Sequence, residues 1–277
     1  MGAVSAMNDM SDASTLLSLV GRHALVGGAT QGIGRACAEA FARAGASVTV
    51  MGRNPDGLAQ VLAALSTSAG QTHHSLLVDY AHWRAVQGAV SGHVAAHGPV
   101  HIVLHNTGGP AAGLAIDAAP EDFAKAFESH LLTGQAIVQE CAPGMREAKF
   151  GRIINITSTS VITPIRGLGI SNTIRAAVAN WARTLAGELA PFGITVNTIL
   201  PGFTRTARLA AIFRGRASRA ASSIEEVERA AIATIPAGRL GEADEIAAVA
   251  LFLASPSAAY VNGVNLPVDG GRTAMQS

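Results

Sequence analysis

The sequence predicts a single α/β domain built on a doubly wound parallel sheet, and three observations predict it. Short apolar runs alternate with helical stretches along nearly the whole chain. Most of the runs are apolar at successive positions rather than at every second one, as in strands covered on both faces. A cluster of glycines separates the first run from the first helical stretch. Strict alternation of strand and helix builds βαβ units, which close into a parallel sheet with right-handed crossovers.

Taken in order, the predicted strands are 23–26, 47–51, 75–78, 100–104, 153–156, 194–199 and 264–268. The predicted helices are 33–44, 58–64, 83–96, 121–145, 172–190 and 243–254. The segment 203–235 carries no strand signal and reads as a helical insertion over one edge, on the substrate side. Residues 1–18, rich in Ala, Ser, Met and Asp, read as a flexible N-terminal extension without the basic start and apolar core of a signal peptide, leaving 19–277 as the domain.

Composition narrows the function classes. Apolar residues make up 49 % of the 277 and charged residues 14 %, against a usual charged share of roughly 25 %. That suits a deeply buried sheet and burial of further surface in an oligomer. A net charge of +1 gives no general attraction to nucleic acid or to an anionic membrane. No charged residue lies between Arg84 and Asp117, but Gly98, Pro99, Asn106, Gly108, Gly109 and Pro110 interrupt that stretch, so it is no membrane span. Cys37 and Cys141 form neither a disulfide framework nor a metal-ligand spacing, which points to a reducing, cytoplasmic setting and to no metal site.

The first strand runs into Gly27-Gly28-Ala29-Thr30-Gln31-Gly32-Ile33-Gly34 and then a helix. Glycines there allow a tight turn, close approach of backbone to phosphate and close packing of helix on strand. The helix start presents free N–H groups to negative charge. Gly28, Thr30, Gln31, Gly32, Ile33 and Gly34 are therefore the candidate cradle for the pyrophosphate of a nicotinamide dinucleotide. At the end of the second strand, Met51-Gly52-Arg53-Asn54 offers no acid for a ribose 2′-hydroxyl. Arg53 suits a 2′-phosphate and favours NADP(H) over NAD(H), unless it is only a solvated loop arginine.

The spacing of Gly28, Gly32 and Gly34 resembles the GxxxGxG of the short-chain dehydrogenase/reductase family. The likeness continues along the chain. Asn106-Thr107-Gly108 resembles the family's NNAG, with His105 in the first asparagine position; GRIINITS at 151–158 resembles its catalytic-serine strand; PGFTRT at 201–206 resembles its nicotinamide loop. GRLG at 238–241 and VDGG at 268–271 match its C-terminal signatures. Within the family the chain is most similar to the 3-oxoacyl-(acyl-carrier-protein) reductases. The resemblance implies a single-domain Rossmann fold whose doubly wound parallel sheet has seven strands and helices on both faces. It also implies Asp79 at the adenine, Asn106 and Gly108 on the ribose side, and Pro201, Gly202 and Thr206 at the carboxamide. An alternative for Asp79 is the N-cap of the helix that follows.

In that family a serine, a tyrosine and a lysine act together, the last two one helical turn apart on one face. Ser158 falls on the serine, Ser171 on the tyrosine and Arg175 on the lysine; a supporting asparagine falls on His130, or on Leu131 in a second register. The only tyrosines, Tyr80 and Tyr260, lie away from that helix in sequence. An alkyl hydroxyl is a far weaker acid than a phenol. Arg175 keeps its charge, so it anchors ribose hydroxyls and polarises oxygen without shuttling a proton. Proton delivery then rests on Ser171, water or His130, whose unperturbed pKa near 6.5 suits a donor. Ser171 as a helix N-cap and His130 as a structural residue are the plain alternatives.

The expectation is an NADP(H)-dependent carbonyl reductase or alcohol dehydrogenase with a non-standard catalytic set, acting on a small carbonyl, alcohol or acyl thioester. The alternative is a dinucleotide-binding sensor or assembly protein without turnover. The resemblance further implies a homodimer or homotetramer. The arginines of 203–235, Arg208 among them, suit either an anionic carrier or a solvated helix face.

Overall fold

In the computed structural model, which describes residues 16–275, seven strands form one parallel sheet in the order β3-β2-β1-β4-β5-β6-β7. They are β1 (His23–Val26), β2 (Ser47–Gly52), β3 (His74–Leu77), β4 (Ile102–His105), β5 (Gly151–Ile156), β6 (Ile194–Pro201) and β7 (Asn265–Val268). Most of the extension expected over 1–18 lies outside the described residues.

Successive side chains of a strand point to opposite faces, and here the two faces feed two separate cores. Ala24 and Val26, Val48 and Val50, Ile102 and Leu104, Ile154 and Ile156 share one core. Leu25, Met51, Val103, Ile153, Ile194 and Val196 belong to the other. This is why the central strands carry no polar alternation: neither face meets water. At the β3 edge the expectation of two-faced burial fails. Its residues alternate between half-buried and exposed, and Leu77 is 63 % exposed.

Helix α1 (Gly32–Arg43) follows β1, α2 (Pro55–Ala64) follows β2 and α3 (Trp83–His97) follows β3. The long helix expected over 121–145 is three pieces: α4 (Pro120–Phe127), a π-helical turn (Glu128–Leu132) and α5 (Thr133–Glu147). Thr133 accounts for the widening. Its N–H bonds the Glu128 carbonyl five residues back, and its buried hydroxyl donates to the Tyr80 carbonyl at 2.8 Å. Such π turns recur at functional sites. The chain goes on with α6 (Gly169–Leu189), α7 (Ala207–Ala220), α8 (Ile224–Ile232) and α9 (Ala243–Ala254). Helices α1 and α9 pack together on one face of the sheet, while α3, α5 and α6 cover the other. Leu209, Phe213, Ala231, Ile235 and Leu240 give α7 and α8 a small core of their own.

Two of the plain alternatives are set aside. Helix α6 starts at Gly169 with Leu168 as its N-cap, so Ser171 lies inside the first turn rather than capping it. The N-cap of α3 is His82, so Asp79 does not cap that helix either. Its carboxylate instead accepts from the Ala81 N–H at 3.0 Å.

Candidate active site

In this strand order the chain leaves β1 toward β2 and β3 and then crosses to β4 on the other side. Ligands of open α/β sheets bind at that reversal, beyond the carboxyl ends of the strands. The glycine turn occupies the place. Gly28 and Gly32 hold left-handed φ of 56° and 55°. A Cβ on Gly34 would run into the Gly28 carbonyl, and one on Gly27 into the Tyr80 hydroxyl. The Asn106 amide braces the turn from β4, donating to the Gly27 carbonyl at 3.2 Å and to that of Gly28 at 3.4 Å.

Gln31 makes no side-chain cap on α1, and no acidic residue stands in its first turn. Protein side chains thus leave the positive helix end open to an anion, so these residues fit a dinucleotide pyrophosphate. Thr30 packs against both Gly52 and Gly57, joining the turn to the end of β2. Arg53 stands exposed beside it and makes no ion pair among the described residues. From the opposite side, Thr206 caps α7 by accepting the Leu209 N–H at 3.3 Å. Its methyl lies 3.2 Å from where a Gly32 Cβ would stand. Pro201 ends β6, and the Gly202 N–H is tied to the Val268 carbonyl at 3.0 Å.

The other half of the cleft lies at the end of β5. Arg175 donates through Nε to the Ser171 hydroxyl at 3.2 Å and through Nη1 to the carbonyls of Thr157 at 2.8 Å and Ile156 at 3.3 Å. The arginine therefore staples α6 to the strand end that carries Ser158. Ser158 accepts the Ser160 N–H at 3.1 Å, which holds its side chain against a short 3-10 turn. Beneath them the π turn buries His130, whose Nε2 has no partner among the described residues and whose carbonyl accepts from His105 Nε2 at 2.7 Å.

Burial, with a smaller contribution from Arg208, lowers Arg175 to about 10, so it remains a cation at neutral pH. Burial first, then the Arg175 charge, pushes His130 down to about 3. His105 is held at about 4, again mainly by burial. The expected role of His130 as an imidazolium donor is thereby corrected: at neutral pH the ring is uncharged and has only a hydrogen bond to offer.

Ser158, Ser171, Arg175 and His130 share this end of the cleft, while the glycine turn, Asn106, Thr206 and Arg53 lie toward its other side. Asp79 is exposed beyond the end of β3, and Gly108 is exposed beside the cleft. Sequence reasoning gave Tyr80 no place at the site and read Arg208 only as one arginine of the 203–235 stretch. Tyr80 is buried under the glycine turn, stacked on His105 at 6.1 Å, and burial raises its phenol. Arg208 reaches from α7 to the Pro110 carbonyl, and its Nη2 lies 3.1 Å from where a Gly109 Cβ would stand. Neither tyrosine stands on α6, and Tyr260 is fully exposed.

The sheet below the site carries a polar row. His105, Asn155, Thr198 and Asn265 are register partners across β4, β5, β6 and β7, and each has a buried side-chain atom without a partner among the described residues. Among the described residues no group of three or more His, Cys, Asp or Glu is placed to hold a metal ion. No described helix is long and apolar enough to cross a membrane.

Comparison with known proteins places this architecture. Residues 28–273 match the family described as Enoyl-(Acyl carrier protein) reductase. The chain is 34 % identical over 251 residues to an uncharacterized oxidoreductase of Mycobacterium tuberculosis, covering 90 % of this chain and 91 % of that one. It is 32 % identical over 257 residues to the 3-oxoacyl-(acyl-carrier-protein) reductase FabG of Vibrio cholerae, covering 92 % and 98 %. Among solved structures, the L-sorbose reductase of Gluconobacter frateurii, complexed with NADPH and L-sorbose, superposes with a TM-score of 0.87 at 27 % identity, covering 93 % and 98 %. With one seven-stranded parallel sheet, a glycine-turn nucleotide cleft and relatives that match it nearly end to end, the chain belongs to the short-chain dehydrogenase/reductase family of oxidoreductases, on its FabG-like side.

Proposed function

We propose that this protein is an NADP(H)-dependent carbonyl reductase, or the reverse alcohol dehydrogenase, working without the tyrosine and lysine of its family. One observation carries the reading: the hydrogen-bonded pair Ser171–Arg175 stands at the end of β5 beside Ser158, across the cleft from an uncapped phosphate turn. The site residues keep the roles their positions suggest. Gly28, Thr30, Gln31, Gly32, Ile33 and Gly34 hold the pyrophosphate. Arg53 meets the 2′-phosphate, with Asp79 near the adenine and Gly108 on the ribose side. Pro201, Gly202 and Thr206 frame the carboxamide. The bound cofactor supplies or accepts a hydride.

The protein's own residues do the rest. Ser158 donates a hydrogen bond to the substrate oxygen. Arg175 anchors ribose hydroxyls and, as a fixed cation beside that oxygen, favours the alkoxide character that develops as the carbonyl carbon gains hydride. The proton that completes the alcohol comes from water, relayed over the Ser171 hydroxyl, with neutral His130 as a hydrogen-bonding neighbour. Small carbonyls, alcohols and acyl thioesters are the substrate classes, in a cytoplasmic homodimer or homotetramer, a state that light scattering decides.

The test is NADPH oxidation across ketones, 3-oxoacyl thioesters and 3-oxo acids. Ser158→Ala should lower kcat/KM by about a hundredfold, the scale of losing one preorganised donor; an unchanged rate refutes the role. A second reading, a dinucleotide-binding protein without turnover, draws on the absence of any acid in the site that titrates near neutrality. NADPH binding with no oxidation over the panel selects it.

A further inference from the structure

Opposite the cleft, the amino ends of the strands frame an open cavity of about 470 Å³, within the usual range for small ligands. Arg22, His23, Ser47, His74, His97 and His101 line it, and no aspartate or glutamate does. Arg22 is half-buried, with its guanidinium 3.9 Å from the centre of the Phe150 ring. Arg152 lies against the same ring at 4.2 Å and spends its N–H groups on the carbonyls of Gly151, Gly193 and Ser255. The Arg22 side chain has no such partner among the described residues, and burial weakens its hold on its proton. His101 takes the His23 N–H on Nδ1 at 3.1 Å, which leaves its own proton on Nε2 as a donor. His23 and His93 both bond the Thr49 hydroxyl, at 2.7 Å and 2.9 Å. The rings of His74 and His97 stack at 3.9 Å, and neither is hydrogen-bonded among the described residues.

We propose that this cavity binds a small oxyanion, and that filling it draws a proton onto the imidazoles around it. The titratable groups that act on one another here are all basic. They are Arg22 and His23 at β1, His73 and His74 at β3, His93 and His97 on α3, His101 before β4, and Arg152 on β5. None of them forms an ion pair among the described residues. An anion supplies the missing counter-charge, held by the open guanidinium fork of Arg22 and the Nε2–H of His101. A negative charge beside an imidazole favours its protonated form, so ligand and proton bind together. His101 cannot take a second proton without losing the His23 N–H, which leaves His74 and His97 to accept it. No three of the rings are placed to hold a metal ion, and Arg22 would repel one. Phosphate and carboxylate groups both carry such oxygens, and the experiment separates the two.

The probes are sulfate, a tetrahedral stand-in for phosphate, and oxalate, a planar dicarboxylate; both stay dianions between pH 7.5 and pH 5.5. Calorimetry at ionic strength matched with chloride should show saturable binding, at least threefold tighter at the lower pH. That is the scale one imidazole raised by about one pKa unit supplies. Repeating the titration in two buffers of different ionisation enthalpy should show net proton uptake. Arg22→Met should weaken binding at least tenfold, and Arg22→Lys should recover part of it. His97→Gln, at an exposed position, should cut the proton uptake with a smaller loss of affinity. Thermal melts confirm that each variant is folded; should Arg22→Met fail there, the proton uptake of His97→Gln decides. Tighter sulfate binding assigns the site to a phosphate group, and tighter oxalate binding assigns it to a carboxylate. The glycine turn also suits an anion, so NADPH is added as a competitor. No saturable binding, binding that NADPH displaces, or binding that Arg22→Met leaves intact overturns the proposal. So does an affinity that is flat across this pH range without proton uptake.

Discussion

Stability should fall steeply as pH drops from 7 to 5, because of histidines at the end of the sheet away from the site. His23 at the start of β1 and His93 on α3 are buried with the Thr49 hydroxyl between them, at 2.7 Å and 2.9 Å, and their own Nε2 atoms are 3.3 Å apart. His97 stacks on His74 at 3.9 Å, and His101 accepts the His23 N–H at 3.1 Å. Arg22 adds positive charge nearby, and no carboxylate pairs with any of these rings among the described residues. Burial first, then repulsion from His93, His74, His101 and His97, lowers His23 from 6.5 to about 4. The unfolded chain therefore binds the extra proton between those values. Stability is full above about 6.5 and is lost as pH falls toward 4. From pH 7 to pH 5, His23 alone removes about 2 kcal/mol. His93, also lowered to about 4, acts with the same sign. Urea denaturation at several pH values measures this. With a slope of about 3 kcal/mol/M, the His23 share is a midpoint shift of roughly 0.6 M. His23→Gln keeps a hydrogen bond to Thr49 but cannot take a charge, so its pH-dependent shift should be smaller by that amount, whatever its stability at pH 7. A variant whose midpoint tracks pH as steeply as the parent refutes the reasoning.

Three further outcomes follow from the cleft. Gly34→Ala places a methyl against the Gly28 carbonyl and 2.8 Å from the Asn106 amide; NADPH binding by calorimetry should weaken at least tenfold while circular dichroism still reports a folded chain. If Arg53 meets the 2′-phosphate as proposed, Arg53→Ala removes a charged contact worth about 1.5–3 kcal/mol, so the preference for NADPH over NADH should drop at least tenfold, and equal losses for both cofactors contradict the assignment. The double change Ser171→Tyr with Arg175→Lys returns a phenol and an amine to one face of α6, and ketone reduction should rise at least a hundredfold over the parent.

What the sequence could disclose follows from how local each feature is. The glycine turn was legible because its constraints act within eight residues and only glycine meets them. Ser171 and Arg175 were legible because a fixed spacing on one helix sets their register. The place of Arg208 was legible only as part of a basic stretch, since its partner, the Pro110 carbonyl, lies 98 positions away and meets it only after α7 folds over the cleft. The histidine cluster was hidden for the same reason: His23 and His93 are 70 residues apart and are joined through Thr49 on a neighbouring strand. The π turn at His130 escaped because its cause, the Thr133 hydroxyl, bonds the Tyr80 carbonyl 53 positions away. A run of helix-forming residues carries no mark of that.

The two halves of the cleft are built from different materials. The half at the glycine turn is made of backbone: glycines with open φ, N–H groups at the start of α1, and an asparagine that braces carbonyls. Few single side chains decide it. The reacting half depends on two side chains a turn apart on α6, and substitution there leaves the sheet register untouched. Arg175 nevertheless does structural work, bonding two carbonyls at the end of β5 and a hydroxyl on its own helix. With three of its bonds directed at the protein, it is held as a fixed cation rather than as a proton carrier. On the proposed reductase reading, the proton then comes from water.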